Sequence, residues 1–332
     1  VRELTPAYDA AVGAAAVFDR SDRMRLRIRG RAPGRMLNGI LTGTMPSAPT
    51  RAPGGVPGGT ATYHAVLTPK GKMITDLWCT HLGDEEQEDF LLDVPAAGRG
   101  GLSTHLTRFL PPRMARVEDV TPTTGMIAVV GPSAAQLLSR LALGLRVEAH
   151  ELSGLPEGEW RASGPSASDG VVVMRTREVW PEAFDVTGPS AAVAALAKAL
   201  GSAGACAADE ATWTTLRIEA ERPAYGVDMD EDTIPVEAAI QERAIDYTKG
   251  CYTGQEVIVR IRDRGHVNRT LRFVHLGDVD PPAKGAELFE VGAPEGARPA
   301  GVVTSATRSP KHGETVALAY VKRGVEGTLT PR

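Results

Sequence analysis

A lone cysteine stands between two glycines in the run Lys249-Gly250-Cys251-Tyr252-Thr253-Gly254-Gln255-Glu256, and this run carries the most distinctive chemistry in the chain. Gly250 and Gly254 free the backbone and allow a ligand to come close. Lys249 lies two residues from Cys251, and a nearby cation favours the thiolate, the nucleophilic and metal-binding form of a group that otherwise titrates near ~8.5. The competing reading is a buried, inert thiol in a Gly-rich turn. Immediately downstream, Val257, Val259 and Ile261 alternate with Arg260, Arg262 and Arg264. Period-two alternation predicts a strand with an apolar face and a guanidinium face. Three arginines on one face suit the carboxylates of a polyanionic tail, or equally keep a solvated edge soluble.

No other local spacing offers a second reactive centre. Cys79, Cys206 and Cys251 are the three cysteines; they form no Cys-x-x-Cys pair, and an odd count argues against a disulfide framework. The seven histidines are scattered, so no metal site is expected. The cysteines lack ferredoxin-type spacing, so the chain is not expected to hold a cluster of its own.

These residues need elements to position them. Three times a β-patterned run reaches a glycine and yields to a helix. Met24 to Arg29 leads through Gly30 to Pro33, Met126 to Val130 through Gly131 to Leu137, and Phe184 to Thr187 through Gly188 to Leu196. Proline suits the first helical turn, and Gly201 is expected to cap the third helix in the left-handed conformation. No Gly-Lys-Ser/Thr follows any of these glycines, so they read as turns in α+β units rather than phosphate cradles. Residues 46–60 are rich in proline and glycine and predict a flexible loop. After Asn268 short β-type runs (Leu271 to Leu276, Gly301 to Thr304, Thr315 to Tyr320) suggest a small β-barrel or sandwich. We therefore divide the chain into 1–264 and 265–332.

At 332 residues, 42% apolar and 23% charged, with a net charge of −4, the composition is that of a soluble globular protein with no global basic field. No uncharged stretch approaches a membrane span, and the opening Val1-Arg2-Glu3-Leu4 carries no signal-peptide pattern. The odd, unpaired cysteine count fits a reducing cytoplasm. Negative charge without aromatic interleaving argues against nucleic acid as a partner of the arginine strip.

Taken together, these features resemble the folate-binding proteins related to the glycine-cleavage T-protein (aminomethyltransferase), and within them the YgfZ branch. The similarity runs through Val17 to Gly30, Leu67 to Leu77, Leu216 to Ala220, Gly226 to Asp230 and Pro235 to Ala238, with the Lys249–Glu256 run as the YgfZ signature. The resemblance implies an α+β cloverleaf of three subdomains around a central tetrahydrofolate pocket, with a C-terminal β-barrel. It implies pocket roles for Arg217, for Asp185 as the carboxylate gripping the pterin, and for Tyr63 as a stacking wall. It implies two aspartates where this chain has Thr75 and Asp76, so a division of labour between paired carboxylates is lost. The function it implies is a tetrahydrofolate-binding accessory protein that supports iron–sulfur client enzymes, with Cys251 as the functional thiol, Lys249 activating it and Gln255 and Glu256 completing the motif. The alternative is a folate-dependent aminomethyltransferase in which Asp76 is catalytic. The absence of a Walker-A run excludes the folate-domain GTPases.

Overall fold

In the computed structural model, residues 5–84, 86–142, 144–164 and 166–332 are described; the opening residues 1–4, read above for a targeting signal, lie outside them. The architecture is α+β with three sheets. An eight-stranded sheet runs in the order Cys206–Ala208, Ala16–Asp19, Thr124–Val130, Ala183–Pro189, Val172–Thr176, Glu159–Ala162, Pro57–Thr60 and Thr50–Arg51. Only its first pair is parallel. A five-stranded antiparallel sheet follows the order Thr62–Leu67, Met73–His81, Asp89–Val94, Met24–Arg29 and Arg116–Asp119. The chain passes from one sheet to the other and back, so neither is built from a continuous segment.

The three strand-to-helix transitions are present. Helices Pro33–Asn38, Ala134–Leu141 and Ser190–Ser202 follow their strands as the glycine-proline punctuation predicts. Alternation then sorts the strand residues into layers. In the Ala183–Pro189 strand, Phe184 and Val186 join Leu138, Val193 and Leu196 under the helices. In the Met73–His81 strand, Leu77 and Cys79 pack with Leu102 and Leu106 of the helix Arg99–Phe109. Between the two sheets lies a separate core containing Tyr63, Trp78, Trp160 and Met174. Residues one position off the outer-facing set therefore point into the inter-sheet layer, and that layer is where the site forms.

Several expectations are corrected. The Val257–Ile261 alternation belongs to a helix, Gln255–Arg264, not a strand. Its apolar set Val257, Ile258 and Ile261 falls at i, i+1 and i+4, which a window this short cannot distinguish from period two. Arg260, Arg262 and Arg264 are exposed along the helix instead of sharing a strand face. Gly201 lies inside its helix, and the left-handed residue is Gly204 at φ 98°. Residues 46–60 contribute two short strands to the edge of the large sheet, and Val56 is buried in the core. The C-terminal strands form an open five-stranded antiparallel sheet, ordered Arg269–Gly277, Glu314–Lys322, Gly301–Ser309, Glu287–Glu290 and Leu329–Pro331, whose outer strands do not pair to close a barrel. Among the described residues no helix is long and apolar enough to cross a membrane.

Candidate functional site

Two aspartates far apart in sequence meet between the sheets. Asp76 shares its strand face with Trp78, and the register sets Tyr63 directly across from Trp78. Asp185 sits opposite Met174, on the face turned away from Phe184 and Val186. Together with Glu178, Arg20, Arg23, Met126 and Trp213 these residues line a narrow chamber of about 30 Å³. That volume is roughly one water's share of the liquid.

Burial sets the protonation chemistry of the chamber. Desolvation pushes Asp76 up to about 6, against the pull of the Tyr63 hydroxyl and the Arg23 guanidinium. The Tyr63 hydroxyl donates to Asp76 Oδ2 at 2.5 Å, while Oδ1 is buried with no partner among the described residues. Desolvation and the neighbouring Asp93 carboxylate push Asp185 up to about 7, with Arg23 opposing. Arg23 is committed to Asp93 at 2.7 Å, so its charge is only partly available to the chamber. Glu178 is the exception: burial alone would raise it, yet Arg243 draws it below its ordinary range. The result is two carboxyl groups that change protonation near neutrality beside one that stays ionised. Carboxyl groups that titrate near neutrality suit general acid–base work.

Next to the chamber an open cleft of about 540 Å³ shares the Tyr63 and Trp78 walls. Arg243 lies on its surface, 4.4 Å from the Tyr63 ring and 5.6 Å from that of Trp78, and donates to Glu157 and Glu178 at 2.6 and 2.7 Å. Behind two of the cleft's lining residues, Gly43 and Thr62, His64 is buried: the Gly43 amide donates to its Nδ1, and its Nε2 meets Thr62 Oγ1 at 2.7 Å. Burial takes His64 down to about 3, so it is neutral, with its remaining N–H directed to Thr62.

The Lys249–Glu256 motif stands elsewhere. Cys251 is exposed, as expected, but the lysine does not serve it. Lys249 Nζ turns inward and donates to the carbonyls of Leu41 and Gly43 at 2.7 and 2.8 Å. Burial lowers its pKa to about 8, and its charge is felt by Cys79 and His64. Burial pushes the Cys79 thiol far up, and Cys206 is half-buried. Tyr252 is a core side chain of the inter-sheet layer. Gly254 adopts φ 84° to start the helix, and a Cβ there would lie 2.6 Å from the Thr68 carbonyl. Gln255 and Glu256 open that helix, Glu256 reaching Arg260 across one turn at 3.0 Å. Gly250 faces open space.

Arg217 is also displaced from its expected role. Its guanidinium is buried on Asp228 at 2.6 Å and on the Arg222 carbonyl. Asp228 in turn accepts from Thr304 and Ser305 of the C-terminal sheet, so this pair fastens that sheet rather than lining the chamber. Thr75 is fully buried on the opposite sheet face from Asp76, against Gly98, with its hydroxyl on the Asp76 carbonyl. A carboxylate at position 75 would not face the chamber; the companions of Asp76 are Asp185 and Glu178. Sequence reasoning missed Glu178, Arg23, Arg243 and Trp78. Strand alternation from Asp76 signals Trp78, whereas the others lie on segments with no local pattern.

Among the described residues no cluster of three or more His, Cys, Asp or Glu could hold a metal ion.

Comparison with known proteins places this architecture. Residues 6–249 match the GCVT N-terminal domain, and the chain belongs to that family. It is 31% identical over 268 residues to an aminomethyltransferase of Rubrobacter xylanophilus, covering 80% of this chain and 67% of that protein. Against an aminomethyltransferase of Corynebacterium jeikeium the identity is 32% over 278 residues, covering 79% and 69%. The crystal structure of the glycine cleavage system aminomethyltransferase T from Bartonella henselae superposes with a TM-score of 0.80, at 21% identity, over 98% of this chain and 84% of that one, and so shares its fold.

Proposed function

We propose that the protein binds a tetrahydrofolate derivative across the inter-sheet chamber and the open cleft that adjoins it at Tyr63 and Trp78, and carries out one-carbon transfer of the aminomethyltransferase type. The observation that carries this reading is Asp76, a buried carboxyl titrating at about 6 with one oxygen fixed by Tyr63 and the other unpartnered. The donor chemistry fits. A carboxylate accepts paired N–H bonds from the amidine edge of a pterin, and the buried Asp185 carboxyl faces the chamber. When bound, tetrahydrofolate would supply the nitrogens that accept the one-carbon unit. The chain's own contribution is to hold Asp185 against the ring edge, to offer the Tyr63 and Trp78 faces, and to take or give a proton at Asp76 Oδ1. Relatives named aminomethyltransferase, similar over four-fifths of this chain, support the transfer reading. A cloverleaf arrangement of the sheets around the chamber is part of it.

One observation favours a second reading. Cys251 is exposed within the YgfZ-like motif, free for thiol chemistry with another protein. In that reading tetrahydrofolate occupies the same chamber and the protein supports iron–sulfur enzymes. The test is to measure tetrahydrofolate binding and methylene transfer from an aminomethyl donor on the same preparation. Binding with turnover supports the transferase. Binding without turnover selects the accessory role, and absence of binding removes both.

A further inference from the structure

Arg243 occupies an unusual position for a structural arginine. It lies on the wall of the open cleft, while its partner Glu178 lines the closed chamber, so the Arg243–Glu178 pair is the partition between them. The aromatic walls that both spaces share, Tyr63 and Trp78, are covered by its guanidinium. Behind it the chamber has room for about 30 Å³, too little for any ring, whereas the cleft in front offers about 540 Å³.

The bonding of Arg243 is incomplete. Both of its ion pairs, to Glu157 and to Glu178, are made by Nη2, while Nε is buried without an acceptor among the described residues. A guanidinium held permanently between carboxylates uses its parallel N–H groups as a fork. Leaving a buried donor unpaired carries a desolvation penalty and makes this contact cheaper to break than a forked pair. The group is nevertheless flat, rich in N–H donors, stacked on aromatic faces and bonded to a carboxylate. The same description fits the amidine edge of a 2-amino-4-oxo pyrimidine ring.

We propose that Arg243 is a displaceable plug that imitates its ligand: its guanidinium holds the place of a flat, N–H-bearing heterocycle at Tyr63, Trp78 and Glu178, and the ligand enters by displacing it. The pocket thereby selects flat rings that carry N–H donors, because such a ring replaces the bond to Glu178 that Arg243 gives up. The folate reading supplies the natural ligand here, but the plug itself rests on the geometry of Arg243. Apparent affinity is reduced by the fraction of molecules in the plugged state, so removing the plug tightens binding.

The test uses isocytosine, a small ring with the amidine edge and no tail, alongside tetrahydrofolate, titrated calorimetrically into the full chain. Arg243→Ala leaves Glu157 and Glu178 without their cation, so folding is checked by circular dichroism. Arg243→Lys keeps the charge but cannot cover the rings as a plane, and serves as the second variant. The expected result is about tenfold or tighter isocytosine binding in the folded Lys variant than in wild type. Equal or weaker binding in that variant overturns the plug and makes Arg243 a structural or ligand-holding residue. Tighter isocytosine binding with no tetrahydrofolate binding to any form leaves the plug standing and defeats the folate reading. Tetrahydrofolate bound equally by wild type and variant, with no gain for isocytosine, does the reverse.

Discussion

The Lys249–Glu256 motif and the carboxylate chamber differ in how recognisable they are along the chain and in how burial shifts their side chains. The motif is contiguous, distinctive and half-exposed, and most of its residues work at packing. Gly254 lets the helix start close against the Thr68 turn, Tyr252 fills the inter-sheet core, and Lys249 ties the Leu41–Gly43 segment. The chamber is assembled from five separate stretches, none distinctive by itself, and it holds the groups whose protonation burial has moved toward neutrality. A conspicuous run of residues marks where a chain is constrained. Perturbed titration in an enclosed space marks where it can do proton chemistry.

That contrast is first sharpened by a residue that belongs to neither region. Arg217→Ala leaves Asp228 buried without its cation and is expected to cost about 3–5 kcal/mol, read in a urea titration. Tetrahydrofolate affinity of the remaining folded protein should be unchanged, because the pair holds the C-terminal sheet and not the chamber. A large affinity loss without destabilisation would return Arg217 to the pocket.

Asp185 gives the next effect. Asp185→Asn should weaken tetrahydrofolate by about ten- to a hundredfold, the worth of a charge-assisted hydrogen bond. In the wild type the ionised carboxylate is the binding form, so affinity should fall as pH drops below about 7, and the Asn variant should lose this dependence. The stability of the free protein should move the opposite way. The folded pKa of Asp185 is raised, so the folded state holds its proton more tightly than the unfolded chain. The stability this gives is fully present below pH ~4 and is lost as pH rises through about 7. Binding and stability profiles that run in parallel would break this assignment.

Within the motif the effects are structural and smaller. Gly254→Ala places a side chain at φ 84° and against the Thr68 carbonyl, and should lower stability by about 1–3 kcal/mol. Gly250→Ala meets nothing and should be neutral. Thermal melts of the two variants check the pair, and equal melting temperatures would remove the packing explanation of the motif.

Much of the fold was legible in the sequence because it is locally encoded. The glycine-proline punctuation marks the three strand-to-helix transitions, and the short β runs after Asn268 mark the C-terminal sheet. The helix Gln255–Arg264 was misread because alternation over so few residues satisfies both periods. The site was only partly legible. Asp76, Asp185 and Tyr63 emerged through family resemblance and do come together. Glu178 and Arg243 pair across the fold, a relation that no spacing along the chain encodes. The direction of Lys249 was equally hidden: nearness in sequence placed it beside Cys251, whereas its long side chain reaches backbone carbonyls on the other side.

The central claim is that the chamber, not the exposed thiol, performs the chemistry. Its most direct test is the single-turnover rate of methylene transfer to tetrahydrofolate, measured side by side for wild type, Asp76→Asn and Cys251→Ala. The account predicts a loss of about 10²–10⁴-fold for Asp76→Asn, the range of a general acid–base group, with Cys251→Ala at the wild-type rate. A wild-type rate in Asp76→Asn together with a collapse in Cys251→Ala would contradict it and move the active centre to the motif.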